Sequence, residues 1–267
     1  MSFDFKLIAC KEELKPYKAD ILGLFQASFN KELPGELWDW AYVQNPYQDP
    51  VVSLCFNEDN LLVGHYAIIP FKLSNAQGSI LAGLSMTTMV LESYRKNGLF
   101  VEQASRVYEK AAQLGFRVVI GFPNKNSAPG FKKRLGWEIQ EDYVVSVTAE
   151  QLAADQGFRQ YAMNPQAYGF DLSDEAFKLW RLSKPGARYQ DHGALIDKVF
   201  DQAKDIVYSQ AGYEQCLEKE QTYNVLIDEA VGSFKENQVF DYPFGYRVLQ
   251  GEPIKLFKKD LLLSDVF

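Results

Sequence analysis

Apolar and polar positions along the chain switch repeatedly between a helical and a strand period. Over residues 10–30, Leu14, Tyr17, Ile21, Leu24 and Phe25 recur near a 3.6 period and predict an amphipathic helix. "ELPGELWDWAYVQNP" predicts a second, shorter helix that stops before Pro46. "VVSLCFNEDNLLVGHYAIIPFKL" reads as two strands joined by an "NEDN" turn, and "SILAGLSMTTMVL" as a third, entered from a polar turn. Phe100, Ala104, Val107, Tyr108, Ala111 and Leu114 then fall on one helical face, with Gly115 placed to close the helix. "FRVVIGF" is nearly all apolar, as in a strand buried on both faces. "NSAPGFKKRLG" predicts a short helix closed by Gly136, and "YVVSVTA" one more strand. The order is mixed α/β, with strand–helix–strand units at its centre.

A spaced repeat suggests duplication. Leu-Trp opens and Tyr-Gln-Asp closes both "LWDWAYVQNPYQD" (37–49) and "LWRLSKPGARYQD" (179–191), with equal spacing between. "GALIDKVF" and "DIVYS" then stand where the first half has its hairpin strands. Two halves are expected, residues 1–150 and 151–267, with the boundary in "AEQLAADQG".

Composition narrows the function classes. With 28 basic and 35 acidic residues, a net charge of -7 and no Lys/Arg-rich block, a nucleic-acid-coating role is not expected. Cys10, Cys55 and Cys216 lie far apart with no C-x-x-C pair, so neither a disulfide framework nor a metal site is expected. No apolar run is long enough to span a membrane, and a cytoplasmic protein is expected. A homodimer is compatible with these features.

"SYRKNGLF" (93–100) sits between a strand and a long helix. A helix N-terminus presents unpaired N–H groups and partial positive charge, and Gly98 lets a pyrophosphate approach without a Cβ in the way. Arg95 and Lys96 add charge, while Leu99 and Phe100 pin the first turn into the core. There is no G-x-x-x-x-G-K-[ST] and no G-x-G-x-x-G after a strand, so neither a P-loop nor a dinucleotide fingerprint is present.

Together, "MTTMVLESYRKNGLFVEQASRVYEKAAQLG" and "VVIGFPNKNSAPGFKKRLGWE" resemble the GNAT superfamily of CoA-dependent N-acyltransferases. Its R/Q-x-x-G-x-G/A signature is matched at Arg95 and Gly98 of Arg95-Lys96-Asn97-Gly98-Leu99-Phe100, and departs from it at Phe100. Asn124 or Asn126, Phe131 and Gly136-Trp137 resemble the order of the family's second module. The resemblance covers roughly residues 10 to 150. It implies a GNAT-like mixed sheet with flanking helices, acetyl-CoA as co-substrate, no metal, and one CoA site in a tandem chain whose second half is degenerate.

Mechanistic expectations follow from the same resemblance. A neutral amine attacks the thioester directly, with Met89 and Val90 offering backbone groups to pantetheine and the acyl carbonyl. The strand carries no carboxylate from Leu84 to Met89, Glu92 reads as a solvated strand end, and His65 is the candidate base. Ser85 and Thr87, read as sharing a strand face, could position a water; Tyr66 would face away from His65. Phe131 stands where many members have a proton-donating tyrosine, with Tyr143 as a distant substitute. His192 and the cluster Trp38, Trp40, Tyr42 and Tyr47 read as structural. The expected reaction is acetyl transfer to a small amine: an amino sugar, sugar nucleotide, aminoglycoside or polyamine. The alternative is an acyl-CoA-binding sensor without turnover.

Overall fold

The computed structural model describes residues 2–200 and 203–264. Its first half runs β1 (Asp4–Ile8), α1 (Lys11–Leu14), α2 (Lys18–Phe29), α3 (Gly35–Tyr42), β2 (Val51–Phe56), β3 (Leu62–Asn75), β4 (Gly78–Val90), α4 (Leu99–Gln113), β5 (Val118–Gly121), α5 (Ala128–Leu135) and β6 (Glu138–Gln140). There follow β7 (Tyr143–Thr148), α6 (Ala149–Ala154), α7 (Gln156–Ala162), β8 (Gly169–Phe170), α8 (Glu175–Leu182), β9 (Tyr189–Asp191), β10 (Leu195–Phe200), β11 (Ala203–Ser209), β12 (Thr222–Ile227), β13 (Gln238–Asp241) and β14 (Phe244–Val248). The expected α/β class holds. Two expectations shift: Pro16 breaks the first helix into α1, a 3-10 turn and α2, and β1 lies where no strand is read from the sequence. Among the described residues no helix is long and apolar enough to cross a membrane.

The strands form two mixed sheets, ordered β1-β2-β3-β4-β5-β14-β6, with β8 paired to β3, and β13-β7-β12-β11-β10-β9. From β2 to β6 the pairings run antiparallel, antiparallel, parallel, antiparallel, antiparallel. The second sheet repeats that succession from β9 to β13. The halves differ in their connections: α4 joins β4 to β5, whereas only a 3-10 turn, Tyr213–Cys216, lies between β11 and β12.

Each sheet takes in strands from the other half of the chain: β7 joins the second sheet, and β8 and β14 join the first. After β6, residues 141–142 carry the chain into the second sheet as β7; after β13, residues 242–243 return it as β14, between β5 and β6. The sheets therefore do not divide at residue 150. The crossing is pinned where Tyr242 N–H donates to Asp142 O at 2.7 Å and buried Lys259 pairs with Asp142 and Asp228 at 2.6 and 2.5 Å.

Strand alternation separates two packed faces of the first sheet. Leu54, Ala67, Ile69, Leu84, Met86 and Ile120 share one cluster with α2 and α3, while Val51, Tyr66, Ile68 and Val119 join α4 and α5 in another. Trp38, Trp40 and Tyr42 are fully buried, as core residues rather than a substrate wall.

Candidate active site

β4 and β5 are parallel neighbours only from Ala82/Val118 to Leu84/Ile120. Beyond that point they splay, and a cleft of about 1000 Å³ opens between them. Ser85, Met86, Thr87, Thr88 and Val90 line one side, and Gly121, Phe122, Pro123 and Asn124 the other. The splay leaves the β4 edge from Ser85 onward without a strand partner among the described residues, so its backbone groups are available to a ligand. Gly121 keeps the vertex uncrowded: a Cβ there would press on the Trp137 ring at 3.3 Å and touch Ser85 Cβ at 3.5 Å.

The cleft passes from one face of the sheet to the other. On the α4/α5 face it is lined by Arg95, Phe100, Asn126, Phe131, Lys133 and Arg134; on the α2 face by Phe25, Phe29 and Lys31. Phe100 packs edge-on against Phe131 at 5.2 Å, and Phe131 against Trp137 at 4.6 Å. Asn124 Oδ1 accepts from the N–H groups of Asn126 and Ser127, both at 3.0 Å, and so shapes the entry to α5.

Gly98 occupies the left-handed region at φ 75° and is the N-cap of α4. Arg95 is held beside the cleft by donating from Nε to Val90 O at 3.2 Å. Asn97 donates to Tyr94 O at 3.1 Å, and Leu99 is buried with Cys55 and Val63. Lys96, Asn97, Gly98 and Leu99 shape the turn without lining the cleft, and Met89 is a buried core residue opposite His65.

His65 does not line the cleft. It is fully buried, donates from Nδ1 to Thr87 O at 2.8 Å, and burial holds its pKa down at about 4. A ring so placed is neutral and shielded from substrate, which corrects its reading as the base. Its partner Thr87 is strained: a register shift between His65 and Ala67 bulges β4, and Thr87 sits at φ 47°. Tyr42 OH hydrogen-bonds Thr87 Oγ1 as well, so the bulge is clamped from two sides.

The bulge also corrects the shared face read for Ser85 and Thr87. Ser85 Oγ donates to Tyr66 OH at 2.9 Å on the α4 face, while Thr87 meets Tyr42 and His65 on the α3 face. Behind Ser85 the buried chain continues: Tyr66 OH lies 2.6 Å from Tyr108 OH, which accepts from Trp137 Nε1 at 2.9 Å. Burial pushes the Tyr108 phenol up to about 12 and the Tyr66 phenol well above its ordinary value. Tyr143 donates to Ser233 O at 3.1 Å in the second sheet and is not part of the cleft. His192 pairs with Asp197 at 3.0 Å, also outside it. Sequence reasoning missed Phe25, Phe29 and Lys31; the only signal was that Phe25 and Phe29 lie on one side of α2, four residues apart.

Among the described lining residues there is no carboxylate and no histidine. What remains is a slot through a sheet, with a helix N-terminus and Arg95 at one mouth and unpaired strand backbone along its side. Such a slot can hold a long ligand with an anionic end and a reactive carbonyl deep between the strands.

Comparison with known proteins agrees with this geometry. Residues 15–140 match the family model described as an acetyltransferase (GNAT) domain. No curated protein matches the chain. Among solved structures, the GCN5-related N-acetyltransferase of Kribbella flavida superposes with a TM-score of 0.59 at 15% identity, over 92% of this chain and 72% of that one. A GCN5-related N-acetyltransferase of Anabaena variabilis gives 0.56 at 9% identity, over 92% and 73%. A conserved Enterococcus faecalis protein described as a probable N-acyltransferase gives 0.59 at 11%, over 93% and 73%. These likenesses are of fold, over nearly the whole chain. The segment 15–140, whose sheet is completed by β14, is the part of the chain that matches the GNAT acetyltransferase domain model.

Proposed function

We propose that the chain transfers an acetyl group from acetyl-CoA to the primary amine of a small acceptor, in the cleft between β4 and β5. The observation that carries this reading is the placement of the splay directly beside the N-terminus of α4. An anion at that N-terminus and a thioester between the strands belong to one continuous slot. Gly98, Arg95 and Lys96 suit the pyrophosphate; Asn124, Asn126 and Phe131 border the pantetheine path; Ser85 to Val90 border the acyl end.

In the reaction the amine nitrogen bonds to the thioester carbon, the C–S bond breaks, and CoA leaves as thiolate. Holding both reactants in near-attack geometry supplies much of the rate. Unpaired N–H groups on the β4 edge stabilise the developing oxyanion. With neither a carboxylate nor a histidine among the described lining residues, the amine proton passes to water in the open slot. His65 and Tyr42 serve by holding Thr87 in its strained bulge.

A second reading, an acyl-CoA-binding protein without turnover, draws on Phe131 standing where a proton-donating tyrosine would help the thiolate leave. Turnover separates the two. The purified protein, given acetyl-CoA and a panel of amines, is expected to release free CoA thiol with at least one amine and to yield the acetylated amine. CoA binding without release from any amine favours the second reading.

A further inference from the structure

The two mouths of the cleft differ in chemistry, and the difference bears on the acceptor. On the α4/α5 face the lining includes three cations, Arg95 just before the N-terminus of α4 and Lys133 and Arg134 in the last turn of α5, and the phosphates of the donor belong on this side. On the opposite face, the end of α2 supplies Phe25 and Phe29, their rings 4.8 Å apart. Asn30 then turns the chain in the left-handed region at φ 54°, and exposed Lys31 follows at the rim. Lys31 has no ion pair among the described residues.

A polycationic acceptor would fare poorly here. It must shed hydration to enter a slot whose described lining offers no carboxylate in return, although the chain carries 35 acidic residues elsewhere. An acceptor with a carboxylate or phosphate meets Lys31, and its apolar skeleton meets the two phenylalanine rings. Resting on the reading of this cleft as the transfer site, we propose that the acceptor is a primary amine that also bears an anionic group on a flat or apolar skeleton. Lys31 is the residue that reads the anion. Aminoglycosides and polyamines are thereby excluded as preferred acceptors.

The test is acetyl-CoA turnover on phenylalanine, phenethylamine, glucosamine 6-phosphate, glucosamine, spermidine and kanamycin, with wild type and Lys31→Glu. An amine bearing an anion is expected to exceed the parent that lacks it (phenylalanine over phenethylamine, glucosamine 6-phosphate over glucosamine) at least tenfold in kcat/KM. The phenylalanine and glucosamine 6-phosphate arms tell carboxylate from phosphate. Lys31→Glu is expected to erase that preference while leaving the KM for acetyl-CoA unchanged. Preferred turnover of spermidine or kanamycin overturns the inference, as does an anion preference that survives in Lys31→Glu. If no amine is turned over, the transfer reading itself falls, and the acceptor assignment with it.

Discussion

Trp40 and Trp180 stack at 4.9 Å with 19° between their planes, and each indole N–H donates to the other residue's carbonyl, at 2.7 and 2.8 Å. The two bonds are reciprocal, and they join α3 to α8. Trp180→Ala removes a buried ring and, with it, the indole N–H that donates to the Trp40 carbonyl. A loss of about 3–5 kcal/mol in urea unfolding is expected, as for a buried tryptophan truncation. A change within about 0.5 kcal/mol, the range of a surface substitution, would contradict this.

The exchanged strands make the halves interdependent. A fragment ending at residue 150 keeps β7 without its sheet and leaves β5 and β6 without β14 between them. Such a fragment is expected to be aggregated or unfolded by circular dichroism and to bind no CoA. A monomeric, CoA-binding fragment would show that the first sheet closes without β14.

The crossing itself depends on Lys259, which is buried between Asp142 and Asp228. Lys259→Met leaves two buried carboxylates without their cation, and breaking a buried pair in this way costs about 3–5 kcal/mol. The same chemical denaturation measurement reads it. The loss should shrink at acid pH, because burial raises the pKa of Asp142 and its carboxylate takes up a proton there.

Much of this organisation was legible in the residues, and its failures have local causes. The glycine turn before α4 and the asparagine segment before α5 converge on one cleft because each lies on a βα turn. Strand partners were not legible: nothing in "ED" at 141–142 or "YP" at 242–243 says that the following strand leaves its own sheet. β1 was missed because "DFKLI" alternates with mostly exposed positions, as an edge strand does. The faces of Ser85 and Thr87 were misassigned because a β-branched threonine is an unexpected residue to carry a positive φ.

His65 links stability to pH. Its folded pKa, about 4, lies below the usual value near 6.5, so the unfolded chain binds a proton that the native ring refuses. Stability from this group is therefore lost as pH falls from about 6.5 to about 4, by roughly 3 kcal/mol in all. In His65→Gln that slope should be absent. The pH–rate profile above pH 6 should keep its shape in the variant; loss of an acidic limb there, the fall in rate as a base takes up its proton, would restore His65 as the base.

The central claim, that the N-terminus of α4 holds the anionic end of acetyl-CoA, is tested most directly by calorimetric titration of CoA into wild type, Gly98→Asn and Gly98→Asp. Asn and Asp bear a similar backbone strain at φ 75°, and no neighbouring atom lies within 4 Å of a Cβ there, so the pair differs in charge alone. The account predicts binding to Gly98→Asn and at least a tenfold weaker affinity for Gly98→Asp, about 1.4 kcal/mol. Equal affinity in the two variants would place the phosphates elsewhere and contradict it.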